Sequence, residues 1–406
     1  MQPYYVDLHV HIGQNGRGKA VKITASRKLT FEAVIRECLE RKGIDVVGII
    51  DCACTGVLED LRKLIDRGEL MELPEGGLRH RDRVTVIAGA EVEAVEDDGG
   101  VSHHLCYFPY LRNLAEFSRV MTRYITNMEL SSQRCGLPAR ELHAVVQNTG
   151  GVLIPAHAFT PHKSVYGNAC DRLQELFGEG FSELAGLELG LSSDINLADR
   201  IQELEGLTFL SNSDAHSLGR IGREYNLIKM EAPNFRELML ALRREGGRSV
   251  VANYGMNPNL GRYHRSFCHH CELPMTGPAP VLECPHCGQS RREFVRGVVD
   301  RVTQIADYAE PHHPEHRPPY HYQVPLSFVP GLGSRGLNLL IRHLGSEMAV
   351  LHEASRARLA ALVGWQLADK ILAARQGRLD FSAGGGGHYG KVIEAETESA
   401  EQLALF

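Results

Sequence analysis

The tightest constraint on the fold is an alternation, kept up to about residue 257, of short β-branched runs with amphipathic stretches. Asp45-Val46-Val47-Gly48-Ile49-Ile50 is followed by a stretch over 58–65 whose apolar residues recur at helical spacing. Strand followed by helix is the simplest reading of that pattern. The same unit recurs with expected strands over 84–90, 104–108, 152–156, 187–191, 208–212 and 249–253. So many strand and helix units predict a parallel α/β barrel or a doubly wound sheet. At Met256-Asn257-Pro258-Asn259 the period stops and a Cys-, His- and Arg-rich stretch runs to about residue 300. A Pro-rich connector follows over 312–319, and helical patterning returns over 337–375. The expected divisions are therefore a barrel over 1–257, a cysteine-rich unit over 258–300, a helical segment over 301–383, and a Gly-rich loop with a tail over 384–406.

Charge separates the same regions. The chain of 406 residues carries a net charge of −6, yet residues 260–390 hold 14 Lys and Arg against 11 Asp and Glu. An acidic first part suits cation binding, and a mildly positive second part suits phosphates. The opening Tyr4-Tyr5-Val6-Asp7-Leu8-His9 lacks a basic leader pattern, and no apolar run approaches the roughly 20 residues of a membrane span. The expectation is a soluble protein of the reducing cytoplasm. Ten cysteines then point to metal rather than disulfides, because four of them form two C-x-x-C pairs.

Side chains alternate faces along a strand, so Asp7, His9 and His11 project to one side of Asp-Leu-His-Val-His. Asp214 and His216 repeat this spacing after another apolar run, and Glu91 and Glu93 after a third. His104 and His157 stand singly at comparable places. Any one of these histidines alone is accounted for by a structural hydrogen bond. Recurrence just after strands is not, because that end of the sheet carries the active site in α/β barrels. Imidazoles and carboxylates are ligands for zinc, manganese and similar ions.

The strings D-L-H-V-H, G-A-E-V-E, H-L, P-A-H and S-D-A-H resemble the successive motifs of the PHP (polymerase and histidinol phosphatase) superfamily, whose fold is a distorted seven-stranded β/α barrel holding up to three metals. The resemblance implies His9, His11, Glu91, His104, His157, Asp214 and His216 as metal ligands, with His103 as the alternative to His104. It also implies hydrolysis of a phosphate ester on two or three divalent ions (Zn, Mn or Mg). His9, His11, Glu91 and Asp214 stand at the catalytic centre, and Asp214 or Glu91 orients the water. One departure stands out: where many members have T-D-H, this chain has Ile50-Asp51-Cys52, so Asp51 or Cys52 serves or a ligand is missing. Arg17, Lys19, Lys22 and Arg27 nearby read either as phosphate contacts or as a solvated loop.

Cys268-x-x-Cys271, twelve residues, then Cys284-x-x-Cys287 aims four thiolates at one tetrahedral zinc and reads as a structural zinc ribbon. Pro330-Gly331-Leu332-Gly333-Ser334-Arg335 before a helix resembles a helix-hairpin-helix turn, in which Gly331 and Gly333 let backbone N–H groups approach a DNA phosphate and Arg335 adds charge. The run 384–387 is either a linker or a loop that brings Tyr389 onto a base and Lys391 onto a phosphate. Gln402, Leu403, Leu405 and Phe406 are similar to a peptide that docks on the bacterial replication sliding clamp.

In this order the parts resemble the endonuclease Q family of repair enzymes over nearly the whole chain. The resemblance implies an endonuclease that nicks damaged DNA 5′ to hypoxanthine, uracil, xanthine or an abasic site. A small-molecule phosphoesterase of the histidinol-phosphatase kind shares the barrel but leaves the appended parts unexplained. A non-catalytic DNA-binding accessory protein is the third reading.

Overall fold

The structure is a computed structural model and describes residues 1–393. Seven strands form a ring: β1 (Gln2–Val10), β2 (Val46–Ile49), β3 (Val84–Val95), β4 (Val101–Tyr107), β5 (Val152–Pro155), β6 (Leu187–Glu188) and β7 (Phe209–Leu210). β1, β2 and β3 pair in parallel, as do β6 and β7. The ring closes where Ala215, just past β7, exchanges two backbone hydrogen bonds of 3.1 Å with His9 and His11. The first half of β1 instead pairs antiparallel with β8 (Tyr225–Met230), which carries β9 (Ser249–Gly255) on its other edge. One strand thus serves barrel and sheet extension in turn.

The distortion lies at β4, which is antiparallel to both neighbours. Only residues 96–100 join β3 to β4, and Glu96 and Gly100 close that turn, with Gly99 at φ +90°. A parallel return needs a crossover of a dozen or more residues, so five residues dictate a hairpin. The acidic and glycine turn Asp97-Asp98-Gly99-Gly100 is the signal that the alternation argument passed over.

Helices Thr55–Asp66, Leu111–Met121 and Ala139–Asn148 bury one apolar stripe each against the strands. Helix Phe235–Arg243 presents Leu238 and Leu242 to a second cluster containing Leu8, Val46, Ile87, Leu105 and Ile154. Each fully buried side chain of this size contributes about 1.5–3 kcal/mol.

The parts after residue 257 are tied back to the barrel. Helix Val298–Ile305 sends Arg301 to the carbonyls of Tyr166 (2.6 Å) and Cys170 (2.9 Å). In the Pro-rich connector Arg317 is buried, forks onto Asp199 at 2.7 and 3.0 Å, and lies 3.5 Å over the Phe209 ring. Tyr320–Tyr322 then adds a parallel strand beside β9. The expected helical segment over 301–383 therefore begins as barrel, and its own helices are Ser334–Leu344, Glu347–His352, Arg356–Val363 and Trp365–Arg375. No helix among the described residues is long and apolar enough to cross a membrane. The clamp-like peptide, Gln402 to Phe406, lies outside the described residues.

Candidate active site

The end of β1 delivers His9 and His11, both fully buried, and the loop after β7 delivers Asp214. His9 Nε2 and His11 Nε2 stand 3.5 and 3.4 Å from Asp214 Oδ1, and the three form one group of convergent ligand atoms. Neither Nε2 has a hydrogen-bond partner. The opposite nitrogens are both held: His9 Nδ1 by Glu188 at 2.9 Å and His11 Nδ1 by Asp51 at 3.1 Å. A carboxylate on one ring nitrogen fixes the tautomer and aims the other at a cation, as in carboxylate–histidine–metal triads. Burial opposes charge on His9, but Glu188 and Asp214 outweigh it and raise its pKa well above the ordinary value.

A second group joins Glu91, His103 and His157. Glu91 Oε1 is 3.1 Å from His103 Nδ1, 3.6 Å from His157 Nε2 and 3.5 Å from His9 Nε2. One carboxylate oxygen therefore faces both groups. Burial would raise the Glu91 pKa, yet His103 and Lys22 hold it well below the carboxylate range. Glu93 takes the far nitrogen of His103 at 3.3 Å and is itself held by Arg134 and Lys163. His157 and Asp214 have positive φ, +32° and +44°, and such strain gathers where function fixes a side chain. Gly190 makes room for this: its φ is +81°, and a Cβ there would stand 2.9 Å from His157 Cβ.

Three expectations need correction or completion. His103, not His104, enters the cluster. On β4 the two face opposite sides, and His104 bonds to Ser102 at 2.8 Å and packs on Phe177, with burial holding its pKa near 3. Cys52 is fully buried in the core and belongs to neither group, whereas Asp51 acts through His11. The His216 ring is tilted 52° against His11 with centroids 4.4 Å apart and its Nδ1 on the Asp214 carbonyl at 3.0 Å, so it borders the first group. Burial keeps it neutral, near 4.

Six nitrogen and oxygen ligands, two orphaned imidazole nitrogens and carboxylates behind them fit divalent cations. Residues 194–245 match the family described as PHP-associated. The chain is 42% identical over 97% of its length to the Bacillus subtilis (strain 168) protein YqxK, the whole of which is covered. It superimposes with a TM-score of 0.81, at 30% identity, on the lesion-specific endonuclease PfuEndoQ of Pyrococcus furiosus, covering 97% of this chain and 96% of that one. A second such structure, again 30% identical with a TM-score of 0.81 and covering 97% of both chains, is an endonuclease Q in complex with a 27-mer duplex substrate carrying an abasic lesion at the active site. The chain belongs to the endonuclease Q family. Family membership makes it a hydrolase of the nuclease class with a metal-dependent PHP barrel.

Cys268, Cys271, Cys284 and Cys287 converge as one four-thiol group, with Sγ–Sγ separations of 3.6 and 3.9 Å that exclude disulfides. Burial opposes ionisation of Cys284, but the N–H groups of His286 and Cys287 hold it down to about 7. The Gly-rich run is a folded loop rather than a linker: Gly384 N donates to Asn259 O at 2.7 Å and Gly390 N to Leu260 O at 2.9 Å. Tyr389 is thereby set beside His157, Glu188 and Asp214 in one pocket. Arg262 lies 4.3 Å over its ring and Arg223 5.5 Å, so a base stacking there must displace a guanidinium. Lys391, Gly331, Gly333 and Arg335 are exposed and belong to neither ligand group, with Gly331 at φ +86° and Gly333 capping helix Ser334–Leu344.

Sequence reasoning missed Glu188. Its strand was expected over 187–191, but a carboxylate in the apolar run Leu187-Glu188-Leu189 was the available signal, since a buried charge needs a partner.

Proposed function

We propose that this chain is a metal-dependent DNA repair endonuclease that hydrolyses the phosphodiester 5′ to a deaminated base (hypoxanthine, uracil or xanthine) or an abasic site. The observation that carries the reading is the pair of three-ligand groups joined by Glu91, in a chain that matches endonuclease Q over 97% of its length. His9, His11 and Asp214 hold one divalent ion and Glu91, His103 and His157 the other, with His216 at the border. Bound ions supply Lewis-acid stabilisation of the phosphate and a nucleophilic water near neutral pH. Asp214, the most exposed ligand, orients that water. The pocket lined by His157, Thr160, Gly190, Ser192, Arg262 and Tyr389 receives the extruded lesion, because a base inside the stack cannot be read.

Around this centre the four cysteines hold one structural zinc, and the hairpin residues Gly331, Gly333 and Arg335 together with Lys391 meet DNA phosphates. Gln402, Leu403, Leu405 and Phe406 dock on the replication sliding clamp; removing residues 402–406 abolishes clamp binding, and equal clamp affinity without them rejects that docking.

The test is a substrate panel with Mg²⁺ or Mn²⁺: end-labelled duplexes carrying deoxyinosine, deoxyuridine, an abasic site or no lesion, beside a phosphomonoester. Nicks on the 5′ side of the lesions, with the unmodified duplex intact, are expected. Release of phosphate from the monoester with every duplex left whole would mean a small-molecule phosphoesterase.

A further inference from the structure

Lys22 lies in the loop after β1, and that loop is pinned by its backbone: Lys22 N donates to Ile12 O at 2.9 Å and Val21 N to Gly13 O at 3.0 Å. The side chain does not run into solvent as those of Arg17 and Lys19 do. Only 13% exposed, it places Nζ 2.8 Å from Glu91 Oε2 and also donates to Ser132 Oγ. Ser132 donates to the same Glu91 oxygen and has φ +52°, a conformation that a side chain rarely adopts without reason. Glu91 Oε1 thus faces His9, His103 and His157, while Oε2 faces His11 at 3.8 Å and the ammonium.

Charge and ligand supply lead to the same place. Among the described residues the barrel offers two ligand groups and no third. Asp51, Glu91, Glu188 and Asp214 are the four carboxylates around the first group and the shared oxygen. Glu93 behind His103 is answered separately by Arg134 and Lys163, so Lys22 is the cation set directly on the shared carboxylate. An ion near His11 Nε2, which stands 3.8 Å from Glu91 Oε2, would compete with the ammonium for that oxygen. A lysine can yield, because its four-carbon stem and three rotatable donors allow it to re-aim.

We propose that Lys22 is a catalytic residue: in the metal-loaded enzyme its ammonium leaves Glu91 Oε2 and donates to a non-bridging oxygen of the scissile phosphate, as a fixed positive charge beside two barrel ions. The inference rests on the endonuclease reading and adds a substrate contact to it. A donor that meets charge developing in the transition state acts on kcat more than on binding.

The experiment uses the full-length protein and its Lys22→Met and Lys22→Arg variants, loaded with Mn²⁺, on a deoxyinosine duplex. Bound metal, counted by mass spectrometry, should be the same in all three, with two barrel ions and one ribbon zinc per chain. Lys22→Met should lose about 100-fold in kcat with KM changed less than about threefold, and Lys22→Arg should recover most of the rate. Sulfur in place of one non-bridging oxygen should slow the wild type stereospecifically, and Lys22→Met should lose that preference. A Lys22→Met enzyme that nicks at the wild-type rate, keeps the sulfur preference or lacks a barrel ion overturns the assignment while leaving the endonuclease reading intact. A wild type that nicks no lesion overturns both.

Discussion

His9 is fully buried between two carboxylates, and its three neighbours define what the site is for. Glu188 takes Nδ1, so Nε2 can only look toward Asp214 and Glu91. Replacing Glu188 by Gln keeps the shape but removes the charge behind the ring; metal affinity should fall about 10- to 100-fold with the fold intact, and calorimetric titration of the metal-free protein measures it. Unchanged affinity would reduce Glu188 to a packing role. The same geometry sets a pH dependence. Because the His9 pKa is raised, the metal-free site keeps a proton there above the ordinary histidine range, and an ion must displace it. Affinity should therefore rise as pH increases through and above the ordinary histidine range, with proton release seen as a buffer-dependent binding enthalpy. Most of these residues were legible in the sequence, because they fall at or near the ends of short apolar runs. The His103 and His104 pair was not, since either could face inward until β4 was known to lie antiparallel against Glu91.

The loops and short strands that reach the site from elsewhere follow different rules. The four-cysteine group was readable outright, since two C-x-x-C turns have few other uses, and its strands Phe267–Cys268, Leu273–Pro274 and Phe294–Val295 are only two residues each. Cys287→Ser should release one zinc per chain, measured by metal analysis, and lower the thermal stability of the second part; an unchanged zinc count contradicts the ribbon. By contrast the Gly-rich loop was ambiguous. Whether such a run is tether or structure depends on backbone partners distant in sequence, here Asn259, Leu260 and Arg262, and Gly384 is required because a Cβ would stand 2.4 Å from Gly261 O. The Pro-rich connector misled for the same reason. Nothing local announces that Arg317 forks onto Asp199, 118 residues away, and that Tyr320–Tyr322 joins the barrel sheet.

For the whole molecule, the seven-strand ring gathers the two ligand groups, and the parts after residue 257 fold back onto it, in a chain of net charge −6. Barrel class and order of parts were visible in the alternation and in its breaks; the antiparallel β4 and the tie-back of residues 298–322 were not, because they are set by a five-residue turn and by long-range pairing. If ions held by the barrel groups drive DNA cleavage, nicking must depend on both the ions and Asp214. The most direct measurement strips the wild type and Asp214→Asn of metal, reconstitutes both with Mn²⁺, counts bound metal, and maps single-turnover nicks on a deoxyinosine duplex. The wild type should give one nick 5′ to the lesion that disappears with chelator, and Asp214→Asn should lose at least about 100-fold in rate while its ribbon keeps zinc. Equal nicking by both proteins, or nicking by the wild type after complete removal of metal, would contradict the account.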